Sequence, residues 1–200
     1  ENLMYRRKLN DRNSRKSHAL ESILETLNSK TIETTIHSER LANNAIRILR
    51  YLGYKRNNDA EDMSLLAKVH DIGKIVISDS ILSKPGKLST KEYDEITKHS
   101  EAGYKIIRNI VDSDVIAKGV LYHHERYDGT GYPVGLTGDK IPVYAKVISV
   151  CDAYDAMVSD RPYSSPMSDE DALEELERCS GTQFDPVIVR AFIESRQKDN

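Results

Sequence analysis

Residues 65 to 74 read Leu65-Leu66-Ala67-Lys68-Val69-His70-Asp71-Ile72-Gly73-Lys74. Leu65, Leu66 and Val69 recur at helical spacing, so we predict a helix that ends at His70. A histidine and an aspartate side by side at a helix end can both turn toward one point beyond it. Neutral imidazole and carboxylate suit iron, manganese or zinc, and Lys74 would lie close enough to meet a phosphate there. Alone, the pair is a weak signal, because most such pairs cap helices or lie on the surface.

The rest of the chain also has a helical pattern, and no segment alternates apolar and polar residues with the period of a strand. A helix is predicted from about Lys30 to Leu52. Asn58 with Glu61 predicts a capping box at the start of the next helix, and Ser89 with Glu92 predicts another. Signals for later helix starts lie near Val115, Pro142, Ser168 and Pro186. The sequence therefore predicts an all-α bundle of seven to nine helices.

One face of the helix predicted from Lys30 carries three polar residues. Glu33, His37 and Arg40 lie at i, i+4 and i+7, within about 60° of one another. An apolar stripe that begins at Leu41 runs beside them. Charged groups next to a buried stripe are costly unless something pairs with them. The triad is either a salt-bridged surface cluster or part of a site that other segments complete.

Four more residues carry groups that bind metals in proteins. His99 lies at the end of a predicted helix, and His123-His124 follows the end of another. Such histidines are ordinarily surface residues or satisfied core residues. Asp152 lies inside an apolar helix, where an unpaired carboxylate is costly and a metal would be a suitable partner. Each signal is weak alone, but their order along the chain is informative.

That order resembles the HD-GYP family of the HD phosphohydrolase superfamily. The resemblance extends from about residue 30 to 195 and includes the loop Asp128-Gly129-Thr130-Gly131-Tyr132-Pro133. It also includes the phrases Ile81–Leu88, His123–Gly129 and Arg161–Tyr163. It implies an HD-type helical bundle with a long GYP loop.

HD-GYP domains hold two or three divalent metals, most often iron, with manganese as the alternative. Carried over position by position, the resemblance implies the ligands Glu33, His37, His70, Asp71, His99, His123, His124 and Asp152. Asp71 would be the bridging carboxylate. Glu33 resembles a ligand of the subgroup with three metals, and members without it tend to hold two. Since the chain has only two cysteines, we expect a histidine and carboxylate site rather than a structural zinc site.

The resemblance further implies a phosphodiesterase that hydrolyses cyclic di-GMP by attack of a metal-bound hydroxide, stopping at pGpG or continuing to GMP. Asp71 and Lys74 are the implied catalytic residues, with Lys74 contacting the phosphate and protonating the leaving oxygen. Substrate contacts are implied for Lys74, Asp128, Gly131, Tyr132 and Arg161. Arg40 would support a ligand, or a carboxylate behind the ligands.

Two other functions stay open. Ser164 stands where many relatives carry a basic residue, which leaves another cyclic dinucleotide, such as cyclic GMP-AMP, open as the substrate. A catalytically silent metal-holding module that senses a nucleotide and signals to a partner is the third function. The complete ligand set and Lys74 argue against that third function.

Composition restricts the partners. The 200 residues have a net charge of −3 at pH 7, which argues against DNA binding. No apolar run approaches the roughly 18 residues of a membrane span, so we expect no membrane contact from this segment. The low cysteine count favours a reducing, cytoplasmic compartment for this domain, while the full-length protein could still be membrane-anchored.

The N-terminal segment differs in charge from the rest. Residues 1–18 hold six basic residues against two acidic ones, and a solvated linker helix is the favoured interpretation. The apolar stripe Leu20–Leu27 is either a short dimerising coiled coil or ordinary packing. Because the chain begins at Glu1 without Met, we expect a fragment preceded by a sensor or receiver domain. The predicted organisation is a linker helix over 1–29 and an HD-GYP catalytic domain over 30–200.

Overall fold

The computed structural model describes residues 2–30, 35–56, 58–160 and 165–197, with side chains from residue 16 onward. The helices are α1 (Asn2–Lys30), α2 (Thr35–Tyr51), α3 (Asp59–Val69), α4 (Asp79–Leu82), α5 (Thr90–Thr97), α6 (His99–Ile110), α7 (Asp114–Tyr122), α8 (Val143–Val158), α9 (Asp169–Arg178) and α10 (Pro186–Gln197). Two 3₁₀ turns cover Ile72–Val76 and Gly138–Lys140. The described residues contain no strand, so the predicted all-α bundle is confirmed.

The core lies between α2, α3, α7 and α8, and α10 packs on α2 and α8. The stripe predicted on α2 is confirmed, since Leu41, Ala45 and Ile48 are fully buried. Burying a side chain such as Leu or Ile contributes roughly 1.5–3 kcal/mol. Within the described ranges, none of the helices combines the length and the apolar character needed to cross a bilayer. The same core helices carry most of the candidate ligands.

Of the two predicted capping boxes, the one at Ser89 is confirmed. At Asn58 the predicted position is right, because Asn58 is the N-cap residue of α3, but the capping box is wrong, because the Asn58 side chain makes no capping hydrogen bond. The buried Asp59 carboxylate instead accepts hydrogen bonds from the backbone N–H of Arg56 (2.8 Å) and from the Tyr144 hydroxyl (2.7 Å). A buried carboxylate needs such donors, and Asp59 therefore organises the start of α3.

The apolar stripe of α1 packs within the chain, mainly on the Ile72–Val76 turn and on α6. Leu27 is buried, and the other apolar residues of the stripe are partly buried against the core. Lys30 Nζ lies 3.1 Å from the Asp79 carboxylate and donates a hydrogen bond to the Ile75 carbonyl of that turn at 3.4 Å. Of the two alternatives for the stripe, packing is observed. Dimerisation through it, and a domain boundary at residue 29, stay predictions.

The Ile72–Val76 turn lies against the start of α6 because residue 73 is glycine. A Cβ at Gly73 would lie 1.9 Å from the backbone oxygen of His99 and 2.5 Å from the backbone nitrogen of Gly103. These are backbone atoms, so neither could rotate away from an added methyl group. The close approach brings Asp71, which precedes the turn, beside His99, and so relates two predicted ligands to each other.

Gly73→Ala is expected to destabilise the protein, because the added methyl overlaps fixed backbone atoms. We expect the free energy of unfolding, measured in urea, to fall by about 3 kcal/mol. Gly86→Ala is the control, since a Cβ at Gly86 meets nothing within 4 Å and only the positive φ of 90° opposes it. That strain costs roughly 1 kcal/mol. Equal losses in the two variants would contradict the packing role of Gly73.

Candidate metal centre

Seven of the eight predicted ligands converge on one place in the described part of the chain. They form two groups, in each of which one ligand atom of every residue lies within 4.8 Å of the others. The first group is Asp71, His99, His123 and His124, and the second is His37, His70 and Asp152. The eighth predicted ligand, Glu33, lies outside the described residues.

Helix ends deliver most of these side chains. His70 is the C-cap of α3 and His123 is the C-cap of α7. The helix predicted to reach His99 ends at Thr97, and His99 instead begins α6. Only Asp152 comes from the middle of a helix, the central α8. Elements far apart in sequence thus direct their polar residues to one point in the core.

Three of the histidines have the same orientation. The Nδ1 atoms of His70, His99 and His123 lie 2.9, 2.7 and 2.7 Å from the backbone carbonyl oxygen three residues earlier. Because a carbonyl only accepts, Nδ1 carries the proton and donates it, and Nε2 is the unprotonated nitrogen of the neutral ring. The three Nε2 lone pairs consequently face the interior of the cluster, which is the orientation of metal-binding histidines.

Asp71 joins the two groups. One of its carboxylate oxygens lies 3.1 Å from His99 Nε2, and the other lies 3.1 Å from His70 Nε2. Lys74 Nζ donates a hydrogen bond to the second oxygen at 2.7 Å. Burial acts to raise the pKa of Asp71, but the charge of Lys74 holds it well below its usual range. Asp71 is therefore a carboxylate at neutral pH, in the position expected of a bridging ligand.

Burial also keeps the paired histidines neutral. Desolvation lowers the pKa of His123, and it lowers that of His124 well below the ordinary value. A neutral imidazole can donate a lone pair to a cation, whereas an imidazolium cannot. Neutral imidazoles and ionised carboxylates without a thiolate are the donor set that iron or manganese accepts, so the residues present fit divalent metals.

The second group is supported by a residue that the sequence interpretation missed. His37 Nδ1 lies 2.7 Å from the buried carboxylate of Asp155, and Arg40 Nη2 donates to the same oxygen at 2.9 Å. Burial opposes ionisation of Asp155, but the bonds from His37 and Arg40 lower its pKa below the usual range. His37 Nε2 then faces Asp152, at 3.6 Å. Asp155 follows Asp152 by three residues and so shares its helix face, which was the available signal.

Arg40 contacts a carboxylate behind the candidate ligands, which is one of the two positions expected for it. Its guanidinium contacts the Asp155 carboxylate behind His37 rather than a predicted ligand directly, and it also donates to the Ser159 hydroxyl. A carboxylate behind a metal-binding histidine fixes the ring and raises its basicity. Arg40 and Asp155 therefore form a pair that orients His37.

The GYP loop, which includes Asp128–Pro133, lies against the first group of candidate ligands. The ring of Tyr132 stacks on that of His124, with centroids 4.8 Å apart and an angle of 29° between the planes. Gly131 allows this approach, since a Cβ there would lie 2.3 Å from the backbone nitrogen of Arg126. Asp128 instead accepts hydrogen bonds from the N–H and hydroxyl of Thr130, which lower its pKa to about 2. Asp128 thus shapes the loop and is not among the clustered ligands.

Glu125 is a second residue that the sequence interpretation missed. Its carboxylate is buried and accepts the backbone N–H groups of Val134, Gly135 and Leu136 at 2.9–3.0 Å. These bonds fasten the loop directly behind the His123-His124 pair. The available signal was an acidic residue next to a glycine-rich loop, whose N–H groups lack regular partners. Arg161, a predicted substrate contact, lies outside the described residues.

Comparison with known proteins agrees with this site. The HD domain family model matches residues 12–188. A cyclic di-GMP phosphodiesterase of Thermotoga maritima is 39% identical over 178 residues, covering 86% of this chain and 48% of the relative. The 3′3′-cGAMP-specific phosphodiesterase 2 of Vibrio cholerae is 34% identical over 178 residues, covering 86% and 33%. The structure of the cyclic GMP-AMP-specific phosphodiesterase V-cGAP3 of V. cholerae matches with a TM-score of 0.66 at 19% identity, covering 88% and 47%.

The chain belongs to the HD domain family, whose model spans most of its length. The HD-GYP resemblance drawn from the motifs is confirmed, and V-cGAP3 shares the fold. Together with the cluster of histidines and aspartates, family membership indicates a centre for divalent metals. The chain spans between a third and a half of the length of these two curated relatives.

Asp155→Asn is expected to weaken metal binding roughly 10- to 100-fold, because an amide cannot hold the His37 ring as a carboxylate does. Manganese affinity measured by isothermal titration calorimetry tests this. Asp160→Asn, at an exposed aspartate just beyond α8, is the matched control and should bind manganese like the unmodified protein. Equal affinities for the Asp155→Asn and Asp160→Asn proteins, with both folded by circular dichroism, would show that Asp155 does not orient a ligand.

Proposed function

We propose that this chain is a metal-dependent phosphodiesterase that hydrolyses cyclic di-GMP to pGpG, with GMP as the product of a second cleavage. The observation that carries the proposal is the convergence of seven candidate ligand side chains with Lys74 beside them. The relative from T. maritima, which is named for this activity, supports the choice of substrate. In the cleavage, water adds its hydroxyl to phosphorus, and the ribose 3′-oxygen leaves with the proton.

The proposed ligands are the seven clustered residues together with Glu33, and the proposed metals are two or three iron ions, with manganese as the alternative. The histidine and carboxylate donor set supports this choice. When bound, such metals clamp the phosphate oxygens and make water acidic enough to ionise near neutral pH. They also supply positive charge for an anionic substrate, which the acidic chain lacks overall.

Lys74 is the proposed acid. Its ammonium group is bonded to Asp71 and its side chain is 20% exposed, so it lies between the buried ligands and solvent. From there Lys74 can contact a phosphate oxygen and donate a proton to the leaving 3′-oxygen. Asp71 holds the ammonium in place while one face of its carboxylate is directed at the cluster. The neutral imidazoles keep their lone pairs toward the same point, as their Nδ1–H bonds require.

The remaining proposed substrate contacts lie on the GYP loop and after α8. Tyr132 borders the first ligand group, while Asp128 and Gly131 set the shape of the loop that carries it. Arg161 is proposed to reach a substrate phosphate. We further propose that the domain acts in the cytoplasm and serves a sensor or receiver domain located N-terminal to it.

Cyclic GMP-AMP is the second candidate substrate, favoured by the similarity to the V. cholerae phosphodiesterase named for 3′3′-cGAMP. Competition between the two cyclic dinucleotides separates the candidates, since the preferred substrate is consumed first. Binding of either one without turnover, by anaerobically purified iron- or manganese-loaded protein, would instead favour a sensor.

Asp71→Asn is expected to lower the hydrolysis of cyclic di-GMP by at least about a hundredfold, more than the loss of an outer support such as Asp155. Lys74→Ala should lower kcat about a hundredfold, the typical contribution of a general acid. Product formation by metal-loaded protein is followed by chromatography. Lys68→Ala, on the exposed side of α3, is the control and should retain full activity. The proposal fails if the unmodified protein leaves both cyclic dinucleotides intact, or if Asp71→Asn is fully active.

Metal analysis tests the role of Glu33. If Glu33 is a ligand, anaerobically purified protein should contain three metals per chain, and Glu33→Ala should contain two. The comparison uses inductively coupled plasma mass spectrometry on both proteins, with product identification alongside. Two metals in each protein would remove Glu33 from the ligand set without affecting the other seven residues.

A further inference from the structure

Two tyrosines form an aromatic corner at the edge of the candidate metal centre. The rings of Tyr93 and Tyr132 lie with centroids 6.3 Å apart and planes at 84°. Tyr132 in turn stacks on His124 and lies 6.3 Å from His99, edge to face. Tyr93 is therefore one ring farther from the clustered ligands than Tyr132, on the outward side.

Tyr93 is exposed although the helix that carries it is well anchored. Its side chain is 52% exposed, and none of the eight residues of α5, all of which are described, is buried. The Ser89 capping box fixes the start of α5, and Lys84 Nζ lies 2.6 Å from the Glu92 carboxylate. These polar contacts hold the helix in place without burying Tyr93. The exposed ring therefore offers an aromatic face beside the ligand cluster, on an element that is held in place.

Resting on the proposed function, we infer that the corner between Tyr93 and Tyr132 holds a nucleobase of the cyclic dinucleotide. A flat base that stacks on one of two perpendicular rings meets the other edge to face, and both arrangements are favourable for aromatic pairs. When the ligand cluster and Lys74 hold a phosphate of the cyclic dinucleotide, the attached ribose and base extend outward from the cluster. The corner is the aromatic surface that adjoins the cluster on that side.

The corner should bind guanine and adenine alike. Every base has an aromatic face, so stacking is tolerant of base identity, and neither tyrosine ring reads a hydrogen-bonding edge through stacking alone. The inferred role of Tyr93 is therefore to raise the affinity for cyclic dinucleotides in general. Discrimination between cyclic di-GMP and cyclic GMP-AMP must come from other residues.

Three substitutions at Tyr93 test the inference. Tyr93→Ala should raise KM about tenfold for both cyclic dinucleotides and leave kcat within about twofold, because stacking binds the substrate without touching the reacting atoms. Tyr93→Phe keeps the aromatic face and should behave like the unmodified protein. Tyr93→Leu keeps apolar bulk but has no aromatic face, so it should behave like the alanine variant. A KM that Leu restores as well as Phe does would show that Tyr93 only packs, and would overturn the inference.

A binding comparison separates this inference from the proposed function. Titration of the metal-loaded protein with GMP and with ribose 5-phosphate, which has no base, is followed by nuclear magnetic resonance. Tyr93→Ala should weaken GMP binding about tenfold and leave ribose 5-phosphate binding unchanged. Equal weakening of both, or of neither, overturns the base contact. Absence of turnover together with preferential loss of GMP binding would overturn the phosphodiesterase function and keep the base contact.

Discussion

Everything in this site depends on how its buried imidazoles are held. Each of His70, His99 and His123 donates its Nδ1–H to a carbonyl three residues earlier, so the backbone just before each histidine sets the ring orientation. Burial then keeps His123 and His124 neutral. Lone pairs that face one another across a carboxylate are unfavourable without a cation to receive them. The bundle therefore builds a centre whose donor set fits divalent metals.

The outer contacts of the centre follow from the same requirement. A carboxylate taken out of water needs donors, and each buried carboxylate around the site uses those donors to place something else. The Asp155 carboxylate is hydrogen-bonded to both His37 and Arg40 and so orients His37. The Glu125 carboxylate accepts hydrogen bonds from three backbone N–H groups of the GYP loop. The loop in turn positions the ring of Tyr132 so that it stacks on the ring of His124. Polar burial here fixes positions as well as satisfying charges.

Much of the molecule could be predicted from local patterns. Helical periodicity indicated the all-α bundle, and the stripe through Leu41 and Ile48 is buried as expected. The motif order indicated seven residues that the structure does bring together, although each one was weak evidence alone. Local patterns were insufficient at Asn58, where the predicted capping hydrogen bond is absent and the neighbouring Asp59 carboxylate accepts hydrogen bonds instead. Asp59 accepts hydrogen bonds from Arg56 and from the hydroxyl of Tyr144, and the second donor lies 85 residues away, where no local pattern indicates it.

The sequence by itself determined the helices, the family and the identity of the candidate ligands, because periodicity and motif order are properties of the chain. Only the tertiary structure decided which residues support them. His37 and Asp155 are separated by 118 residues, and Tyr93 meets Tyr132 from a different element of the fold. Such contacts depend on how α2, α5, α8 and the GYP loop pack together. No local pattern encodes that packing, since a carboxylate or an exposed tyrosine looks the same in sequence whatever it faces.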